Sequence, residues 1–322
     1  MRILAVSTAF VALGLFSLWL WTPDVSRTTL LSQYGTSTDQ FAEIAGLRLH
    51  WRDTGPGKEA GHVPTLLLLH GFGSSLQTWE AWADVLSKEY RVIRIDLPGS
   101  GLTGPDPTGD YSDERALAIL DALLAHCAVE HVVVIGNSLG GRIAWEYAAS
   151  RPERVDKLVL ISPDGFASPG FEYEKPPAVP GFLKLMQFVL PKALFRMNLE
   201  PAFAHPDSLS EALVQRYYDM MRAPGVRAAL IARMQQTLLH DPHERLARIK
   251  APTLLLWGEK DQMIPHTNAK DYLEAIPHST LVTLADVGHV PQEEAPTRTL
   301  LPLEAFLRGS GDASSSLSGT RP

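Results

Sequence analysis

Val132-Val133-Val134-Ile135-Gly136-Asn137-Ser138-Leu139-Gly140-Gly141 is the stretch from which the chain is best read. A run of β-branched residues predicts a buried strand. It runs into Gly-Asn-Ser-Leu-Gly, a G-x-S-x-G pentapeptide, and a helical pattern follows over residues 142–150. Strand, sharp turn and helix are the context in which that pentapeptide presents an exposed serine on a strained elbow. Gly136 and Gly140 lack a Cβ, so strand and helix can approach closely on either side of Ser138. The Leu139 N–H is then free to donate to an oxyanion.

Strand signals recur on both sides of this stretch. Residues 41–52 alternate around Ala45-Gly46, a hairpin signature. Residues 65–69, 91–95, 157–161, 252–257 and 279–284 read as further strands, and the helical patterns over 79–90, 112–128, 269–275 and 296–307 alternate with them. Ser112 is the expected N-cap of its helix. The alternation breaks after Asp164. A Pro- and Gly-rich stretch leads into three helical patterns, 182–198, 209–222 and 226–240, with no strand between them. The expected organisation is therefore a sheet core over 41–164 and 250–308, a helical cap over 165–249 and a disordered tail over 309–322. Strands alternating with helices imply a mostly parallel, eight-stranded α/β sheet with helices on both faces.

The chain has 322 residues, 45% of them apolar, enough for one large core. A formal charge of −7 argues against a nucleic-acid partner. A single cysteine, Cys127, permits no internal disulfide and reads as a packed helix residue. Ile3 to Trp21 carries no charged residue and has about the length a membrane-spanning helix needs. Residues 1–24 are thus expected to be an uncleaved signal anchor, with a cleaved signal as the alternative. Arg2 before this stretch and Asp24 after it would place the remainder on the non-cytoplasmic side. Residues 25–40 read as a polar linker, so that removal of residues 1–25 should spare the sheet.

Ligands of a parallel sheet bind at the carboxyl ends of its strands. Ser138, Asp261, His289 and the loop His70-Gly71-Phe72-Gly73 all follow strand ends, and so converge. A serine hydroxyl needs a neighbouring base. His289 can serve as that base, and Asp261 can hold the imidazole. The backbone N–H groups of Phe72 and Leu139 are the oxyanion candidates. Asp164, also after a strand, is the rival acid.

With HGFG at His70, DLPGSG at Asp96, GNSLGG around Ser138, WGEKD ending at Asp261 and GHVPQEEAP from Gly288, the chain resembles the α/β-hydrolase fold superfamily, of the capped serine type. The likeness covers residues 41–307. It implies a cofactor-free enzyme, with no metal, that cleaves carboxylic esters of a small-molecule acyl substrate through an acyl-enzyme on Ser138. Carbon–carbon hydrolases of ring-fission products carry a similar elbow, but commonly place an aromatic residue where Val290 stands. A non-catalytic binding module of the same fold is the reading from another class.

Other residues carry structural expectations. His70 and Asp96 read as loop braces, Arg142 as an exposed helix residue, and His240 and His243 as part of a solvated turn. In the cap, Phe182, Leu185, Met186, Phe188, Val189 and Leu190 are expected to offer apolar surface for an acyl chain. Met186, Met197, Met220, Met221 and Met234 read mostly as cap packing, some of them as pocket lining.

Overall fold

A computed structural model describes residues 21–57, 63–168, 172–175 and 177–309 of the chain. Its strands are β1 (Asp39–Ile44), β2 (Leu47–Thr54), β3 (Thr65–Leu69), β4 (Arg91–Ile95), β5 (Val132–Asn137), β6 (Val155–Ile161), β7 (Thr253–Gly258) and β8 (Ser279–Leu284). They form one eight-stranded sheet in the order β1-β2-β4-β3-β5-β6-β7-β8. The pairs β1–β2 and β2–β4 are antiparallel, and every other neighbouring pair is parallel. The hairpin turn falls on Ala45 and Gly46, with φ of 52° and 76°. Positive φ at both central residues matches the right-handed twist of the two strands.

The continuous apolar runs are buried on both faces, as parallel strands must be. Alternate residues of one strand enter different cores. Leu67, Leu69, Val132 and Val134 pack with α3 (Asp113–His126), α4 (Leu139–Ser150) and α9 (Asn268–Ala275). Leu66, Leu68, Val133 and Ile135 pack with Trp82 and Leu86 of α2 (Glu80–Leu86) and with Leu300, Leu303 and Leu307 of α11 (Pro296–Leu307). Ser112 caps α3, its hydroxyl accepting from the Arg115 N–H.

Between β6 and β7 lie α5 (Lys192–Leu199), α6 (Glu211–Met221), α7 (Val226–Gln236) and the short α8 (His243–Leu246). The pattern read as one helix over 182–198 is broken. A 3₁₀ segment, Gly181–Gln187, comes first, and α5 starts only after Pro191. Proline disfavours helical backbone in the residue before it and has no N–H to give, so a helix restarts there rather than passing through. These elements share a third apolar core built on Phe195, Phe203, Val214, Tyr218 and Leu230.

Residues 25–40 are not a free linker. Ser26 caps α1 (Arg27–Tyr34), and Leu30 is fully buried in the cap core. The polar composition hid one buried leucine on an otherwise solvated helix. The expected anchor lies outside the described residues, apart from residues 21–24. Among the described residues no helix is long and apolar enough to cross a membrane. The expected tail beyond Gly309 also lies outside them.

Residues 22–25 are strapped to the cap. Arg227, its side chain 4% exposed, donates to the Thr22 carbonyl at 2.8 Å and to Asp24 Oδ1 at 2.6 Å. The Val25 N–H donates to the Arg222 carbonyl. A truncation through Val25 would therefore strip a buried guanidinium of its partners, so the cut must come before Thr22. Asp24→Ala tests the strap. Discounted for the partial exposure of Asp24, the loss should be about 1–2 kcal/mol. Differential scanning fluorimetry should show the midpoint falling by roughly 2–5 °C, and an unchanged midpoint would mean that the strap contributes nothing.

Candidate active site

Ser138 stands between β5 and α4 with φ 55° and ψ −119°, a conformation that an L-residue adopts only under constraint. The constraints are backbone hydrogen bonds on both sides. The Ser138 N–H donates to the Ile161 carbonyl at 3.0 Å, and its carbonyl accepts from Arg142 at 2.9 Å and Asp164 at 3.1 Å. The glycines permit this crowding. A Cβ on Gly136 would sit 2.2 Å from the Gly140 carbonyl oxygen, and one on Gly140 would sit 2.1 Å from that of Leu69.

His289 follows β8 and is buried. Its Nδ1–H donates to Asp261 Oδ2 at 2.8 Å. That bond puts a proton on Nδ1, so that in the neutral ring Nε2, on the other edge, is the acceptor. The Asp261 side chain is fully buried. Burial alone would raise its pKa, but the facing imidazole and the Ile264 N–H outweigh burial and hold it below the usual carboxylate range. Oδ1 of the same carboxylate accepts from the Met263 and Ile264 N–H groups at 2.8 and 2.9 Å, which fixes its plane. Asp164 is not placed against His289. Its nearest charged partner is Arg142, at 3.9 Å, and burial raises its pKa.

Leu139 is the first residue of α4, so its N–H has no acceptor within the helix and lies at the positive end of the helix dipole. The Phe72 loop closes against the serine: a Cβ on Gly71 would lie 3.2 Å from the Ser138 Cβ. His70 braces this loop. Its Nδ1–H donates to the Gly71 carbonyl and its Nε2 accepts from the Leu97 N–H at 3.0 Å, while burial lowers its pKa and keeps it neutral. Asp96 accepts from the N–H groups of Leu76 and Leu102 and from His50, which makes it a brace as well.

A cavity of about 350 Å³ opens beside Ser138 and His289. Phe72, Met186, Leu190, Phe195, Met221, Leu230, Met234 and Val290 line it, with Ser74 and Tyr217 at a polar end. Met186, Met221 and Met234 thus line the cavity, whereas Met220 is packed and Met197 is exposed. Among the described residues no arginine or lysine lines it. Phe182, Leu185 and Phe188, expected to offer surface for an acyl chain, are instead exposed and do not line this cavity. Arg142 is also corrected: it is buried, bound to Asp113 at 2.6 Å and to the Leu238 carbonyl. His240 and His243 each meet one carboxylate, Glu174 and Asp241, and among the described residues no cluster of three His, Cys, Asp or Glu could hold a metal.

Four further residues position the site. Asn137 Nδ2 donates to the His289 carbonyl at 3.0 Å and to that of Ile161 at 3.1 Å, while its Oδ1 accepts from Gln292 Nε2 at 3.2 Å. Glu293 binds Arg216 of α6, and Glu294 accepts from Gly288 and from Ala204 and His205 in the cap. For the last three the signal lay in the sequence, as the consecutive polar residues Gln292-Glu293-Glu294 shortly after His289; Asn137 stands in the elbow itself.

The alpha/beta hydrolase fold family profile matches residues 64–296. The chain belongs to the alpha/beta hydrolase fold family. Lipase 3 of a Moraxella species is 30% identical over 88% of this chain and 90% of its own length. A 2-hydroxy-6-oxononadienedioate/2-hydroxy-6-oxononatrienedioate hydrolase of Paraburkholderia phymatum is 32% identical over 77% and 86%. The acetyltransferase component of the acetoin cleaving system of Cupriavidus necator is 31% identical over 79% of this chain, which spans only 65% of that relative. Among solved structures, a membrane phospholipase A, described as a bacterial virulence factor, superposes with a TM-score of 0.73 at 26% identity, covering 97% of this chain and 99% of the other. The family and most of these relatives are hydrolases.

Asn137→Ala removes the side chain that holds the His289 loop while leaving the His289–Asp261 bond in place. The ring should shift by a fraction of an ångström, and kcat for an activated ester should fall about tenfold or more with little change in KM. Steady-state kinetics checks this; an unchanged kcat would show that the loop is held without Asn137.

Proposed function

We propose that the chain is a serine hydrolase of carboxylic esters with hydrophobic acyl groups. The observation that carries this reading is the apolar cavity opening onto Ser138 beside a His289–Asp261 pair. Ser138 Oγ attacks the ester carbonyl, and His289 Nε2 takes its proton. Asp261 stabilises the imidazolium so formed. The Leu139 and Phe72 N–H groups receive the oxyanion, and such donors contribute on the order of 3 kcal/mol each. The imidazolium protonates the leaving alcohol, and water activated by His289 then releases the acid. Ser138→Ala should abolish turnover without unfolding the chain, and a fluorophosphonate should label Ser138. Asp261→Asn should lower kcat about 10⁴-fold by favouring the wrong tautomer, whereas Asp164→Asn should matter far less. The reverse order would make Asp164 the acid.

A second reading is carbon–carbon cleavage, supported by the similarity to the Paraburkholderia hydrolase. The name of that relative's substrate denotes a dicarboxylate. A dianion in this cavity would meet no arginine or lysine among the described lining residues, and burying unpaired charge is costly. The ester reading is therefore preferred. Specificity constants for p-nitrophenyl acetate, butyrate and octanoate should rise with chain length. Burial contributes about 0.8 kcal/mol per CH₂, so butyrate should exceed acetate by roughly tenfold. A flat series rejects the acyl cavity, and a strong preference for a vinylogous 1,5-diketone acid selects the second reading.

We further propose that residues 1–24 anchor the protein with its catalytic part on the non-cytoplasmic side, secretion after cleavage being the alternative. Resistance of the full-length chain to alkaline carbonate extraction is the expected result.

A further inference from the structure

The segment from Gly181 to Leu199 is apolar on two sides. In its 3₁₀ part, side chains three apart eclipse each other. Leu183 and Met186 face the cavity, while Phe182 and Leu185 are 68% and 60% exposed. In α5, Phe195 and Leu199 line the cavity, while Leu194 and Met197 are exposed on the outside. Of the ten strongly exposed large apolar side chains among the described residues, five lie in this segment and a sixth is Trp21. Phe72 and Met263, two more, stand on the cavity lining itself. Water is a poor neighbour for so concentrated a patch.

The chain shows what lies beside it. Trp21 stacks on Phe188 with ring centroids 5.7 Å apart. The Thr22 N–H donates to the Phe188 carbonyl at 2.8 Å, and the Thr22 hydroxyl accepts from the Leu190 N–H. The uncharged stretch Ile3 to Trp21 therefore ends on this patch. A stretch of that length matches the hydrocarbon thickness of a bilayer, and tryptophan favours its interface. If Trp21 sits at the interface, Phe188 does too. Charge agrees: Gly181 to Leu199 carries Lys184, Lys192 and Arg196 and no carboxylate, in a chain of net charge −7. Lys192 and Arg196 share Glu211, and Lys184 is exposed at the patch.

We propose that Phe182, Leu185 and Phe188, with Trp21, seat in the surface of the phospholipid bilayer that holds the N-terminal segment, so that an acyl chain passes from lipid into the Ser138 cavity without crossing water. The proposal rests on the anchor and ester readings above and adds the orientation of the cap. Apolar side chains enter the acyl boundary while the lysine stem reaches along them to the headgroups.

The test uses the full chain, with Cys127→Ala, reconstituted in vesicles of phosphatidylethanolamine and phosphatidylglycerol. A bimane is attached at Leu185→Cys or, as a control on α11, at Leu301→Cys. Dibrominated lipid should quench the label at 185 about twofold or more and spare the label at 301, because bromine quenches only at short range. Equal quenching at both sites overturns the proposal. Absence of quenching at 185 in a chain that resists carbonate extraction also overturns it and leaves the anchor standing; absence in a chain that washes off rejects both. Quenching at 185 by a second, spin-labelled copy, without quenching by lipid, assigns the patch to self-association and overturns the proposal. A second arm separates delivery from chemistry. Phe182→Asp with Leu185→Asp should slow hydrolysis of a long-chain ester held in the vesicle by roughly tenfold while leaving soluble p-nitrophenyl butyrate unchanged. Equal loss on both substrates counts against delivery from the membrane. If the wild-type chain cleaves neither ester, the ester reading fails and the bimane result alone decides the docking.

Discussion

The left-handed backbone of Ser138 is the constraint on which the site depends. A φ of 55° is unfavourable for serine, and here three backbone hydrogen bonds to Ile161, Arg142 and Asp164 hold it. Those bonds exist only because β5, β6 and α4 come together at distances that no Cβ on Gly136 or Gly140 would allow. The next residue back carries the consequence across the sheet. Asn137 is the last residue of β5, and its amide reaches the carbonyl of His289, 152 positions later in the chain. The elbow therefore places Ser138 and also one end of the His289 loop. Asp261 holds the histidine itself through the ring nitrogen.

Much of this was legible in the sequence, for a physical reason. A parallel sheet buries its strands on both faces, so its strands read as unbroken apolar runs. Residues at their carboxyl ends must share one edge. That rule brought Ser138, Asp261, His289 and Phe72 together without reference to their contacts. What the sequence hid falls where one buried residue decides an element. Leu30 is the one fully buried residue of α1, helped by Tyr34, whose hydroxyl donates to Asp219, and the remaining residues are polar enough to look like a linker. Arg142 looked solvent-facing because arginine usually is, yet Asp113 and a carbonyl from beyond α7 draw it inside. The 182–198 stretch kept its apolar periodicity while Pro191 divided it, so the pattern survived and the helix did not.

The antiparallel side of the sheet is held by charge as well as by apolar packing. His50 lies between Asp39 and Asp96, and Arg52 joins Asp39 to Glu80, which also takes Arg94. Burial would lower the His50 pKa, but the two carboxylates outweigh it and raise it. Asp96 is fully buried and held below the usual carboxylate range, against burial, by His50 and by N–H donors. Folding therefore stabilises the ionised Asp96 above the usual carboxylate pKa of about 4. That contribution is lost as the pH falls through its lower, folded value. The same carboxylate braces the loop that carries Leu97 and Leu102, and His70, beside the Gly71 loop, accepts from the Leu97 N–H. The ion network of the antiparallel strands thus reaches the loop that faces Ser138.

The cap is tied to the His289 loop at one end and to residues 21–25 at the other. Residues 292–294 distribute their bonds in three directions: Gln292 to the elbow, Glu293 to α6, and Glu294 to the turn before α6 and back to Gly288. The His289 N–H itself donates to the cap carbonyl of Ala202. No displacement of α6 can therefore leave the histidine loop untouched. At the opposite end, Phe188 and Met186 are held through Thr22 and Arg227, with the Arg227 bond to the Met186 carbonyl as long as 3.5 Å. A bond of that length is weak, but the Thr22 N–H reaches the Phe188 carbonyl at 2.8 Å and the Thr22 hydroxyl accepts from the Leu190 N–H at 2.9 Å, so Thr22 carries the polar hold on this end. The end of the cap beside the His289 loop is thus held by Glu293, Glu294 and the Ala202 carbonyl. The end that carries the exposed phenylalanines and leucine is held by Thr22, which follows the uncharged N-terminal stretch, and by Arg227, which donates to the Thr22 carbonyl.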